Sequence, residues 1–192
     1  MTSTITPRLA AYRLLDLEPL RNNIGVTGAD RTAAGGLNVW RNSLPAEQLP
    51  PAGTVTVDGI PFAFPGTGTG EPDNVRCAGQ VVPVPPGRYD WIYLLATAER
   101  RVEDEVALHF TDGQVDFEPL RVSDFWAAVA HFGETRAYAT TSMHYPHHVQ
   151  PRVTGLIWCQ RVAVTRRAEL RSLRLPTNPA VHVFAATLQE GP

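Results

Sequence analysis

The chain has 192 residues, 43% hydrophobic and 19% charged, with 17 Pro and 15 Gly. That mixture fits a single turn-rich domain over residues 1–192 and excludes a disordered chain or a coiled coil. All 17 basic residues are Arg, which rules out lysine Schiff-base chemistry and any phosphate loop that needs Gly-Lys-Ser/Thr. A formal charge of -2, with no basic stripe interleaved with aromatics, gives nucleic-acid binding no support.

The first residues lack the basic start and apolar run of a secretory leader, and no run approaches the ~18 apolar residues a membrane crossing needs. The expectation is a soluble, cytoplasmic chain with no membrane partner. Residues 8–17 form a first extended segment, ended by Glu18-Pro19. A long loop rich in Asn and Gly follows over 22–42, and loops of that length are disproportionately functional. Residues 54–57 and 60–64 flank Asp58-Gly59, the dipeptide of a tight β-hairpin.

Residues 90–98 are apolar on both alternations, with Trp91, Tyr93 and Leu95 on one and Ile92, Leu94 and Ala96 on the other. Such a strand belongs in the middle of a sheet. The mixed-charge run 99–105 reads as an exposed hairpin tip. Residues 105–110 and 115–122 form the clearest hairpin, reversing at Asp112-Gly113. A short helix is expected over 123–131, and further strands over 135–142, 154–165, 169–175 and 181–188. Nine or ten short strands without intervening helices predict an all-β fold, an antiparallel sandwich or barrel.

Several fragments carry a family resemblance in their shared order: Asn22-Asn23-Ile24-Gly25, the stretch from Ser43 to Pro50, Val57-Asp58-Gly59-Ile60-Pro61-Phe62, Pro72-Asp73-Asn74-Val75 and Ala78-Gly79-Gln80. It continues through Leu94-Leu95-Ala96, Ser123-Asp124-Phe125-Trp126 and the closing segment from Val181 to Thr187. Together they resemble actinobacterial jelly-roll modules of the galactose-binding-like, carbohydrate-binding type. The resemblance implies an antiparallel jelly-roll β-sandwich that binds a glycan or packs beside the catalytic domain of a glycoside hydrolase. The stretch from Met143 to His148 departs from the pattern of those modules.

Candidate site residues fall in three groups. Asn22, Asn23, Trp40 and Arg41 combine amide and guanidinium donors with an aromatic platform, which is what a sugar's hydroxyl edge and C–H face require. His144, His147 and His148 cluster within five positions and bring imidazoles suited to metal or acid/base work, with Tyr145 beside them. Pro146 favours a loop there, and no carboxylate or Cys follows at metal-site spacing, so a metal set is left unassigned. Asp73-Asn74, with Asp16 and Glu18, offers oxygens for a structural Ca²⁺, although a self-bonded turn explains the same pair. Cys77 and Cys159 stand far apart without a CxxC partner, as buried thiols do. Arg161, Arg166, Arg167, Arg171 and Arg174 could form a face for an anionic ligand or a partner, although the intervening apolar residues favour simple alternation on an exposed sheet face.

The first functional expectation is a non-catalytic module for a carbohydrate or glycosylated ligand, contacted by Asn22, Asn23, Trp40, Arg41, His144 and Tyr145. Two alternatives stand beside it. One is a small free-standing enzyme acting on a bulky small molecule through histidine acid/base or metal chemistry. The other is an accessory subunit of a partner enzyme.

Overall fold

Residue patterning along the chain resolves into sixteen strands and three single-turn 3-10 helices in a computed structural model that describes residues 11–191. In chain order the strands are β1 (Tyr12–Leu14), β2 (Val26–Thr27), β3 (Leu44–Pro45), β4 (Gly53–Val57), β5 (Ile60–Phe64) and β6 (Val75–Arg76). They continue with β7 (Val81–Gly87), β8 (Tyr89–Ala98), β9 (Val102–Phe110), β10 (Val115–Val122), β11 (Thr135–Ala139) and β12 (Ser142–Tyr145). The last four are β13 (His148–Pro151), β14 (Leu156–Ala163), β15 (Leu170–Arg174) and β16 (Val181–Glu190).

Two antiparallel sheets make the sandwich. One runs β1-β16-β8-β14-β11, with β6 also paired to β16, and the other runs β10-β9-β15-β7. Between them lies a core of Ile92, Leu94, Val106, Leu108, Phe110, Leu120, Val162, Leu173 and Leu188. The six-stranded sheet is covered on its other face as well. There the β4–β5 hairpin, the parallel β2–β3 pair and the β12–β13 hairpin enclose a second core that includes Leu44, Phe62, Leu95, Phe125, Met143, Ile157 and Phe184. That third layer is why residues 90–98 are apolar on both alternations. β8 lies between β16 and β14, with Leu94 facing one core and Leu95 the other.

β16 is buried along eight successive residues. A register shift between Val183 and Ala185 lets Phe184 and Ala185 both enter the outer core, as a bulge does when it adds a residue to one strand. Thr187 Oγ1 then donates to the Pro61 carbonyl at 2.7 Å, fastening the β4–β5 hairpin to the sheet.

Three expectations change. Residues 123–131 are not helical: the Phe125 N–H donates to the Ala98 carbonyl at 3.0 Å, the Phe125 carbonyl accepts from Leu156 N–H at 2.7 Å, and the Asp124 carbonyl accepts Trp158 Nε1–H at 2.9 Å. Backbone groups that a helix would use internally are committed to strands. Residues 99–101 are a crossover, because β8 and β9 lie in different sheets, and residues 102–105 already belong to β9. β7 was missing from the sequence reading because it carries Pro83, Pro85 and Pro86; proline is tolerated there because β7 is the edge of its sheet. No helix among the described residues is long and apolar enough to cross a membrane.

Candidate functional site

The long 22–42 loop is held down by polar contacts. Asn22 Oδ1 accepts the Arg76 N–H at 2.7 Å and its Nδ2 donates to the Arg76 carbonyl at 3.1 Å, so this side chain pairs with β6 as another strand would. Asn23 Nδ2 donates to Asn74 Oδ1 at 3.3 Å, and His182 Nδ1 lies 3.0 Å from that same oxygen. Below them Asp73 is fully buried. Its Oδ1 accepts from Gly25 N–H and Asn74 Nδ2, and its Oδ2 from Val26 N–H. Burial raises its pKa to about 6 against the pull of those donors. For His182, burial and then the nearby Arg76 cation lower the pKa to about 4. Asn22, Asn23 and Asp73 are therefore loop fasteners. Both Asp73 oxygens receive backbone N–H donors from Gly25 and Val26, far away in the chain, so the pair is a long-range fastener and not the self-bonded turn expected from the sequence.

The histidine group divides. His144 is fully buried, paired through its backbone with Ser43. Its Nδ1 lies 2.8 Å from Thr27 Oγ1, which in turn lies 2.7 Å from Ser43 Oγ, while its Nε2 faces Glu47 Oε1 across 3.6 Å. This chain of hydroxyls and imidazole knits β2, the Ser43 segment and β12 together, and it gives His144 no route to a ligand in solution. Pro146 and His147 make the turn of the β12–β13 hairpin, so His147 and His148 are exposed at its tip. The three imidazoles do not converge. Among the described residues no three His, Cys, Asp or Glu side chains group as metal ligands.

Trp40 and Arg41 sit on a separate protruding turn. Asn38 Oδ1 accepts the N–H groups of Trp40 and Asn42, each at 3.1 Å, which pushes Val39 and Trp40 outward, 74% and 58% exposed. Arg41, with φ of 59°, donates to the Ala33 carbonyl, and Thr32 Oγ1 donates to the Pro146 carbonyl at 3.2 Å. These bonds tie the turn to residues 32–34 and those residues to the β12–β13 turn, where the half-buried Tyr145 ring stacks on His148 at 4.9 Å.

A different place has the form of a binding site. A hollow of about 540 Å³ opens where β8, β14 and β10 meet the β4–β5 hairpin, with Trp91, Tyr93, Gln160, Arg161 and Arg121 in its lining. Arg161 Cζ lies 4.7 Å from the Trp91 ring centroid, and Tyr93 Oη donates to Gln189 Oε1 at 3.0 Å. Burial raises the Tyr93 pKa, and the nearby Arg161 cation opposes that shift. Glu134 closes one side; its two oxygens accept from Ser123 and Phe132 N–H at 2.7 and 2.9 Å. Cys159 is also in the lining, with its thiol pushed up to about 11, mainly by burial. The apolar alternations of residues 90–98 point to the middle of a sheet and give no sign of this hollow. Trp91 and Tyr93 near the start of β8 are only half-buried. The signal lay instead in a Trp-x-Tyr alternation that brings polar aromatic edges to one face.

The family model of the AziU2-like beta-sandwich domain matches residues 14–192. The chain belongs to that family. No curated protein matches it. Among the surface features of this chain are the hollow beside the β4–β5 hairpin and the aromatic turn at Trp40. The Arg run of the sequence is split between sheets: Arg161 lies on β14, Arg171 and Arg174 on β15. Arg166 and Arg167 are paired with Asp116 and Asp90 at 2.6 and 3.0 Å.

Proposed function

We propose that this chain is a non-catalytic recognition domain for a carbohydrate or glycosylated small molecule, held in the hollow over Trp91 and Tyr93. The observation that carries the reading is the lining: indole, phenol, amide and guanidinium groups share one open concavity of about 540 Å³. A sugar offers hydroxyls along its edge and C–H groups on its faces, and those residue types serve both. The resemblance to galactose-binding-like jelly rolls supports the same ligand class. Two of the groups there that could act as base or nucleophile are otherwise engaged. Glu134 accepts two backbone N–H bonds, and the Cys159 thiol is held protonated. An enzyme working through His144, His147 or His148 has less support, because one is buried and two lie on an exposed turn. The test is a thermal-shift and calorimetric panel of mono- and oligosaccharides. A saturable stabilisation by particular sugars is expected, and no response to any of them overturns the reading.

A second reading, an accessory subunit of a partner enzyme, is favoured by the Val39-Trp40 turn. A protruding Trp flanked by Val39 and Arg41 has the composition of an interface anchor. A stoichiometric enzyme chain that co-purifies with the wild type and is lost in Trp40→Ala supports it; unchanged co-purification removes the turn from the interface.

A further inference from the structure

The hollow has a charge feature that a neutral sugar does not require. Arg161 is exposed on β14, opposite Tyr93 of β8, and its guanidinium stacks on Trp91. Among the described residues it has no ion-pair partner, as is true of most of the arginines there; what sets it apart is its stacking on an indole at the rim of the hollow. Stacking on an indole orders a guanidinium while leaving its edge N–H groups free, so less side-chain freedom is lost when an anion binds. Gln160 joins β14 to β10 through their backbones: its Oε1 accepts the Arg161 backbone N–H at 2.7 Å, and its Nε2 donates to the Arg121 backbone carbonyl. Arg121 lines the same hollow. Its carboxylate partner, Glu103 at 3.3 Å, is solvent-exposed, and such a pair is weak enough to yield to a ligand. Of the two lining carboxylates Glu134 is tied to backbone, which leaves Asp58 on the hairpin as the free acceptor for ligand hydroxyls.

We infer that the hollow takes an acidic ligand, a carboxylate-bearing sugar of the uronic acid class, with its carboxylate on the stacked Arg161 guanidinium and Arg121 as second cation. This rests on the proposal that the hollow binds a hydroxylated ligand. A planar carboxylate matches the guanidinium edge through two parallel N–H···O bonds.

The test is isothermal calorimetry with glucuronate, glucose and acetate as probes on the wild type, Arg161→Gln, Arg161→Lys and, as a control cation on the other sheet, Arg171→Gln. Glucuronate is expected to bind about tenfold or more tighter than glucose. The preference should weaken at high ionic strength, disappear in Arg161→Gln, fall in Arg161→Lys because a point charge replaces the fork, and persist in Arg171→Gln. Arg161 is exposed, so the melting curve of Arg161→Gln should match the wild type, and a variant that melts early is replaced by Arg161→Met, which keeps the aliphatic stem. Equal binding of glucose and glucuronate, insensitive to Arg161, overturns the acidic class and leaves carbohydrate recognition standing. Acetate binding as tightly as glucuronate retains the anion site and overturns the sugar. No binding by any probe overturns both.

Discussion

The Asp73 carboxylate and the Val26 N–H lie 2.9 Å apart, and this buried bond anchors the start of β2 to the residue just before Asn74. Through Asn74 the same network reaches His182 on β16. The carboxylate meets three N–H donors, so the ionised form is the one its surroundings satisfy, and burial is what raises its pKa.

These two groups have opposite effects on the pH dependence of stability. Asp73, raised from 3.8 to about 6, keeps a proton in the folded state that the unfolded chain has lost, so its contribution falls as pH rises between those values. His182, lowered from 6.5 to about 4, stays neutral when folded while the unfolded chain is protonated, so its contribution rises over nearly the same window. The wild type should be almost flat from pH 4 to 6. Asp73→Asn should then gain stability with rising pH, and His182→Gln should lose it, each by on the order of 3 kcal/mol. Urea midpoints across this range read the slopes; two variants with the flat wild-type profile would refute the assignment.

Gly25 leaves room for this network to close. A Cβ there would lie 2.6 Å from Asn74 Nδ2, 2.9 Å from Leu37 Cδ2 and 3.2 Å from Phe184 Cζ. Gly25→Ala is expected to cost about 1–3 kcal/mol through overpacking. Gly66→Ala, whose nearest neighbour would be Ala52 Cβ at 3.8 Å, should be close to neutral in the same denaturation assay.

Cys77 and Cys159 are both buried free thiols, raised chiefly by burial to about 12 and about 11. Neither should react appreciably with a thiol reagent such as DTNB at about pH 8 until denaturant is added, because the thiolate is the reactive form. Rapid modification of Cys159 in the native protein would show that the hollow gives it more access than its burial allows.

Trp40 and Phe184 should separate in stability. Trp40→Ala removes a side chain from a residue 58% exposed and should change unfolding free energy by no more than about 0.5 kcal/mol. Phe184→Ala empties part of the outer core and should cost about 3–5 kcal/mol. A large loss from Trp40→Ala would mean that the turn is structurally required.

Much of the fold was legible where local chemistry is decisive. The Asp58-Gly59 and Asp112-Gly113 reversals lie between paired strands, and the two-faced apolar pattern of residues 90–98 identified a central strand. Residues 123–131 were not legible. Phe125 and Trp126 suit a helix face, and only bonds to distant Ala98 and Leu156 hold that backbone otherwise. Trp40 lies on an exposed turn, while Asn22, Asn23 and His144 became fasteners once Arg76, Asn74 and Thr27 were brought beside them.

The sequence by itself determined an all-β chain without lysine, with its main hairpins and its central strand, because turn residues and period-two alternation act over a few positions. Only the tertiary structure decided which polar groups face solvent. A third layer over the six-stranded sheet buries His144, Asp73 and His182 and stops short of Trp91 and Tyr93, so burial by residues far away in the chain separates the fasteners from the hollow.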